Sequence, residues 1–184
     1  MNTPFTIWCT GLPSSGGTAL AKVIADLLEE QKLPVQLLLS TSLRQSNTME
    51  PLGFGKNDRD KNVAQLGERA HRAMKEGAVV VVAAVSPFAD ARHAVRQKVG
   101  AFFEVHVCTP KPACIDQCTT GNWAKALTGE LRDFTGVDQP YEKPTQPDCE
   151  VDLSVLTITD GAQSVIHALE RAGHLPASAD ADPG

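Results

Sequence analysis

The stretch Phe5-Thr6-Ile7-Trp8-Cys9-Thr10-Gly11-Leu12-Pro13-Ser14-Ser15-Gly16-Gly17-Thr18 decides the fold. Phe5 to Thr10 is an apolar run of strand length, and Gly11 ends it. A Gly/Ser-rich turn follows. From about Thr18 to Gln31, residues Leu20, Val23, Ile24, Leu27 and Leu28 recur at helical spacing. A strand, a glycine-rich turn and a helix, in that order, gather backbone N–H groups at a helix N-terminus, where an anion is held. Gly11, Gly16 and Thr18 fall in the register of the phosphate-cradling loop G-x-x-x-x-G-K-[ST]. The candidate phosphate-loop residues are therefore Gly11, Ser14, Ser15, Gly16, Gly17 and Thr18. The lysine of the pattern is missing, because Gly17 stands in its place. Glycine keeps the shape of the loop but brings no charge to a β or γ phosphate. On these residues alone, an anion loop and a plain strand-to-helix connection stand about even.

Outward from this stretch, apolar runs alternate with helical patterns. Pro34 breaks the first helix and Val35 to Leu39 is the next strand. Asp60 to Lys75 is predicted as a helix stopped at Gly77. Ala78 to Val85 is apolar throughout, as in a central strand covered on both faces. Phe102 to Cys108 and Val151 to Thr159 are predicted as two more strands. Gln163 to Ala172 is predicted as a helix that ends at Gly173, and Pro176 to Gly184 as a disordered tail. Strand and helix in alternation imply right-handed crossovers and a parallel sheet, an α/β domain. Ligands of such sheets sit at the carboxyl ends of the strands, here after Thr10, Leu39, Val85 and Cys108. Thr119 to Pro147 breaks the pattern. It is polar, rich in Gly and Pro, and carries Trp123, Phe134 and Tyr141, so it is expected to be a lid or binding loop.

With 184 residues, 42% hydrophobic, the chain is one domain with a real core. Its formal charge of −5 disfavours nucleic acid and anionic lipid as partners. No apolar run reaches the roughly 20 residues that span a bilayer, and the N-terminal residues lack a signal-peptide pattern. The five cysteines (Cys9, Cys108, Cys114, Cys118 and Cys149) are an odd set that suits buried reduced thiols better than zinc or disulfides. A cytoplasmic location follows as the expectation, with no metal site of the protein's own. His106 is expected to be a core histidine, and Glu68, Arg69, Arg72 and Glu76 a solvated, charge-paired helix face.

Further segments resemble one family. Leu52-Gly53-Phe54, Asp58-Arg59 and Asn62, then Val85-Ser86-Pro87-Phe88, then Phe134-Thr135-Gly136-Val137-Asp138-Gln139-Pro140-Tyr141-Glu142 with Pro144 are similar in order and spacing to adenylylsulfate (APS) kinases. The resemblance runs from about Phe5 to Leu175. It implies a three-layer P-loop kinase-like fold over residues 1–175, with a parallel sheet, flanking helices and a lid at about 117–147. Members use MgATP to phosphorylate the 3′-hydroxyl of APS, giving PAPS. The family's D-G-D-x-x-R is Leu39-Ser40-Thr41-Ser42-Leu43-Arg44 here, so both carboxylates are gone, at Leu39 and Thr41. The lid's R-D-P-K-G-L-Y is Gln117-Cys118-Thr119-Thr120-Gly121-Asn122-Trp123, which loses the arginine on the ATP adenine and a lysine beside the sulfated nucleotide. Past Ser86-Pro87 the family's basic position is Ala89, although Arg92 and Arg96 remain. The family's APS-holding residues are largely kept: Phe54 and Phe134 sandwich the adenine, Arg44 and Arg59 take the phosphosulfate, and Asn62 and Ser86 lie near ribose and phosphosulfate. Taken singly, each has an ordinary reading as packing or surface charge, with Asp58 or Asp60 as partners for the arginines.

The losses fall on catalysis and ATP; the retentions fall on the sulfated nucleotide. A pseudokinase that binds APS or PAPS, senses it, and acts on a sulfate-metabolism enzyme in trans is the first expectation. No cofactor is then certain, and MgATP enters only if kinase activity is retained. The second expectation is an active APS kinase with charge supplied by Lys125, Arg132 or a neighbouring subunit. The third is a binder or kinase for another nucleotide, or a structural subunit, with no preference for APS over AMP. A homodimer is what the family resemblance implies.

Overall fold

The computed structural model describes residues 3–46 and 53–177. The chain order is β1 (Thr6–Gly11), α1 (Gly17–Glu30), β2 (Val35–Leu39), α2 (Ser40–Ser46), α3 (Lys56–Lys75), β3 (Val79–Ala83), α4 (Ala89–Val99), β4 (Phe102–Val107), α5 (Lys111–Asp116), α6 (Asn122–Leu127), β5 (Cys149–Val151) and α7 (Ile158–Arg171). All five strands are parallel, in the order β2-β3-β1-β4-β5. Thr6 pairs with Val80 on one side and Phe102 on the other, so β1 lies mid-sheet.

Alternation of side chains along buried strands builds two cores. Phe5, Ile7, Cys9, Val81, Val105 and Val107 face α1 and α7. Trp8, Val80, Val82 and Phe102 face α3 and α4. The helix spacing read from the sequence is the one that packs: Leu20, Ala21, Ile24, Ala25 and Leu28 are the buried stripe of α1. Where α3 meets α4, a Cβ on Gly67 would lie 2.9 Å from a Val95 methyl, so the helices approach at a glycine.

Several boundaries differ from the sequence expectation. The strand expected over Val151–Thr159 is only Cys149–Val151. Asp152 then accepts from the backbone N and hydroxyl of Ser154 (2.8 and 2.6 Å), which turns the chain out of the sheet. The last helix starts at Ile158 rather than Gln163, because Thr157 caps it by accepting from Asp160 N. The third helix begins at Lys56, four residues earlier than expected. Four short or polar helices, α2, α4, α5 and α6, carry too weak an apolar stripe to stand out in the sequence. Helix α6 also shows that 117–147 is not one long loop: Trp123 and Phe134 pack with Cys114 and Ala126 in a small core of their own. The expected disordered tail, 176–184, falls almost wholly outside the described residues. Among the described residues no helix is long and apolar enough to cross a membrane.

One buried cation organises the route from Phe134 to β5. Arg92 pairs through Nε with Glu104 (2.9 Å) and donates to the carbonyls of Ser86 (2.6 Å) and Glu142 (2.7 Å). Arg96 bridges Glu104 and Asp148. The two arginines that follow Ser86-Pro87 are thus occupied in the frame. Replacing Arg92 with Leu leaves Glu104 only its longer contact with Arg96 (3.5 Å) and strips two carbonyls of their donor, and is expected to cost about 3 kcal/mol. Urea unfolding of the variant beside the parent checks this.

Candidate functional site

The carboxyl ends of β1, β2, β3 and β4 meet at one edge, and the candidate residues with described side chains lie on the loops that follow the strands or in the first two turns of α1 and α3. Gly11 ends β1 where a Cβ would fall 2.6 Å from the Val107 carbonyl and 2.7 Å from Ser15 Oγ, so only glycine fits. Ser14 (φ 62) and Gly16 (φ 95) then turn the chain into α1. At Gly16 a Cβ would also strike Leu153 at 2.6 Å. No side chain caps the N-terminus of α1. Three successive loop carbonyls are instead held from outside: Trp123 Nε1 donates to Pro13 O (3.1 Å), Gln117 Nε2 to Ser14 O, and Thr109 Oγ1 to Ser15 O (2.8 Å). Carbonyls anchored outward leave the amides of the turn to face an anion.

At Gly17 the backbone is helical and a Cβ would meet Val107 and Ser15 only at 3.7 and 3.8 Å, ordinary contacts. The backbone there therefore accepts a Cβ without displacing a neighbour. Thr18 is exposed. Leu39 packs against the core beneath α1, and Thr41 is exposed on α2. Among the described residues, no three His, Cys, Asp or Glu side chains gather as a metal site. Gly11 to Thr18 offers the hydroxyls of Ser14, Ser15 and Thr18 and no carboxylate, a poor donor set for a divalent cation.

The nucleotide candidates are arranged unevenly. Phe54 is 54% exposed, with the Arg59 guanidinium 5.7 Å from its ring centroid. Phe134 is 9% exposed, edge-on to Trp123 with centroids 4.9 Å apart. Arg59, 7% exposed, donates to the carbonyls of Phe54 (2.7 Å) and Asp133 (2.5 Å). These two hydrogen bonds run to backbone, whereas Asp60, one of the partners the sequence offered, takes Lys56 at 2.8 Å. Asn62, 3% exposed, donates to Ser40 Oγ (2.7 Å). Its Oδ1 is buried with no hydrogen-bond partner among the described residues, as is Thr135 Oγ1. Ser86, at φ 44, accepts from Trp8 Nε1 (3.0 Å), which turns its hydroxyl toward the core. Arg44 lies in α2 with its side chain outside the described residues, where Leu52 also falls.

Sequence reasoning missed several participants. Ser40, which stands at the glycine of the family's D-G-D pattern, holds Asn62. Thr10 donates to Val85 O (2.7 Å), leaving Tyr141 as donor in their 3.0 Å bond, and this pins the 134–142 loop over β1. Burial pushes the Tyr141 phenol up to about 12. Lys111 donates to Gly136 O (2.6 Å) and lies over the Trp123 ring. Lys125 and Arg132, the suggested replacement charges, are exposed. A cavity of about 540 Å³, lined by Leu12, His106, Lys111, Tyr141 and Lys143 among others, touches none of Phe54, Arg59, Asn62, Ser86 or Phe134. His106 is the core residue expected, bonded to Glu150 at 3.0 Å.

These positions match a known pattern in full order. The sequence profile of adenylylsulphate kinase matches residues 3–152. The chain belongs to the adenylylsulfate kinase family. An adenylyl-sulfate kinase of Gloeothece citriformis is 35% identical over 92% of this chain and 96% of its own length. A sulfate adenylyltransferase of Gibberella zeae is 39% identical over 93% of this chain, which spans only 30% of that protein. Among solved structures, the Mycobacterium tuberculosis APS kinase in complex with AMPPNP and APS superposes with a TM-score of 0.86 at 34% identity, over 92% of this chain and 99% of its own. Against the family's motifs, this kinase-family chain keeps the loop geometry at Gly11 and Gly16, and departs at Gly17, Leu39, Thr41, Gln117 and Thr120.

One departure has a chemical consequence. The described cysteines are free thiols, but they are not all buried. Burial pushes Cys9 up to about 12 and Cys114 up to about 11. Cys118 is lowered to about 6, because the Thr120 hydroxyl and then the Trp123 amide bond its thiolate. Below pH 6 the thiol is protonated; above it the nucleophilic thiolate prevails. Iodoacetamide labelling followed by mass spectrometry should modify Cys118 ahead of Cys9 and Cys114 at pH 7, with half-maximal rate near pH 6. Thr120→Val should move that midpoint upward.

Proposed function

We propose that this member of the sulfate-activating adenylylsulfate kinase family binds APS or PAPS and is impaired in phosphoryl transfer, acting as a sensing or regulatory pseudokinase. One observation carries the proposal: Gly17 occupies the lysine position of a loop that is otherwise formed, at a point where a Cβ would meet only ordinary contacts. Transfer of a γ-phosphoryl group depends on positioning and on charge placed against the phosphates. This chain keeps positioning, through anchored carbonyls and inward amides, and lacks charge. No carboxylate stands at Leu39 or Thr41 to accept the proton of an attacking hydroxyl, and the Gln117 side chain holds Ser14 O where the family has an arginine on ATP. Losing one preorganised charge of this kind costs on the order of 10²–10³ in rate.

The sulfonucleotide side is better supplied. The exposed Phe54 ring offers a stacking face, and the buried Asn62 Oδ1 has no partner among the described residues and awaits a donor. A small-molecule sulfonucleotide is therefore the ligand, and a sulfate-metabolism enzyme in trans is the partner on which its state would act.

Calorimetric titration with APS, PAPS, AMP and MgATP, paired with a PAPS-formation assay, tests this proposal. The expected result is sulfonucleotide binding tighter than AMP, no MgATP binding, and no turnover. Gly17→Lys should gain MgATP affinity about 10- to 100-fold, the worth of a hydrogen bond to a charged group. PAPS formation by the parent protein at about 1 s⁻¹ or faster, the ordinary kinase range, would overturn it and establish an active kinase. Equal affinity for APS and AMP would point to another nucleotide.

A further inference from the structure

The turn after β1 and the turn after β5 share one buried hydroxyl. Thr109, 2% exposed, stands just past the end of β4. Its Oγ1 donates to Ser15 O (2.8 Å) and accepts from Leu153 N (3.2 Å). A hydroxyl carries one proton and two lone pairs, so one oxygen serves both bonds at once. Cys108 N donates to Val151 O (2.9 Å), which ties the residue before Thr109 to the last residue of β5. The hydroxyl is thus mounted on the sheet.

Ser15 lies between Ser14 (φ 62) and Gly16 (φ 95), two residues in the left-handed region. Among the described residues no other donor reaches Ser15 O, and the ladder of α1 starts one residue later, with Leu20 N on Gly16 O (3.0 Å). The Ser15 C=O and the Gly16 N–H belong to one planar trans peptide and point opposite ways, so fixing the first aims the second. The other two loop carbonyls are held by Gln117 and Trp123, which belong to the 117–147 segment and not to the sheet. Leu153 meets the loop a second time: its Cδ1 lies 2.6 Å from where a Cβ on Gly16 would stand. The Asp152–Ser154 turn fixes the backbone on either side of Leu153.

We propose that Thr109 is a positioning residue: it locks the phosphate loop to the turn after β5 and keeps the Gly16 amide aimed at an anion before any anion arrives. This rests on the reading that the loop holds an anion. An amide already in place needs no reorganisation on binding, and its dipole is the attraction left to a loop without its lysine. The lock also couples the two turns, so an anion that orders the loop orders Leu153 across the shared hydroxyl.

The experiment combines titration with metal-free inorganic pyrophosphate and amide hydrogen exchange without ligand, for the parent protein, Thr109→Val and Thr109→Ser. Valine keeps the shape and removes both bonds, whereas serine keeps the hydroxyl. Thr109→Val should weaken pyrophosphate about tenfold, the contribution of one or two hydrogen bonds. Exchange should accelerate at Leu153 and at Ser15, whose N–H is bonded to Leu12 O and not to Thr109, while the amides of β1 and β4 keep their parent rates. Thr109→Ser should bind within about threefold of the parent and protect both amides. The proposal is overturned if Thr109→Val binds and exchanges like the parent, or if its acceleration extends equally through β1 and β4. It is also overturned if Thr109→Ser fails as Thr109→Val does, which assigns the effect to the methyl group. If Thr109→Val does not fold, the parent decides: pyrophosphate should slow exchange at Leu153 as well as at Ser15, and an unchanged Leu153 rate overturns the coupling. If the parent binds no pyrophosphate, the anion reading of the loop falls, while exchange without ligand still decides whether Thr109 holds it.

Discussion

Parallel pairing of β1 on both its edges is the constraint from which the rest follows. A strand buried on both faces must satisfy every N–H and C=O through its neighbours, and β1 does so against β3 and β4 in unbroken register. Parallel strands finish at the same edge. The phosphate turn after Gly11, the Ser40 turn after β2, the Ser86 turn after β3 and Thr109 after β4 are brought together for that reason. None of these segments is near the others in sequence, and none needs a special contact to meet.

Charge in this molecule is concentrated in its frame. Arg92, Arg96, Glu104 and Asp148 form a linked network behind the strand ends, which holds the chain between Phe134 and β5 in place. The three described side chains that hold the loop carbonyls are neutral: Thr109, Gln117 and Trp123. The loop is shaped by hydrogen bonds to its carbonyls, so geometry and electrostatics, which act together in a phosphoryl-transfer site, are separated here. On the function proposed above, a separation of this sort would leave amide dipoles to an anion and withdraw the charge that a transferring phosphoryl group demands. The side chain of Gln117 illustrates the exchange: it anchors the loop from the position at which the family places an arginine.

The 117–147 segment joins the two halves of the site. Helix α6 brings Trp123 against both the phosphate loop and Phe134, Tyr141 docks onto Thr10 at the end of β1, and Asp133 shares Arg59 with Phe54. One packed unit thus touches both the turn after β1 and the start of α3.

The parallel α/β architecture, the glycine-rich turn between β1 and α1 and the family were legible in the sequence, because apolar periodicity and glycine spacing are local quantities that the chain carries in order. The missing lysine and carboxylates were equally legible, as identities at fixed offsets from Gly11 and Leu39. Short helices such as α2, α5 and α6 were not, since their stability comes from the surfaces they pack on and hardly from their own pattern. The stretch after Val151 reads as strand by composition, yet a side-chain turn at Asp152 ends it. Partnership was the other thing hidden. Arg59 beside Asp58 and Asp60 looks like half of an ion pair, and Arg92 and Arg96 look like free cations near a phosphate. Only the tertiary structure decides that Arg59 holds two carbonyls and that Arg92 and Arg96 belong to Glu104 and Asp148. A hydrogen bond is set by distance in space, and contacts between residues 74 positions apart leave no periodic trace along the chain.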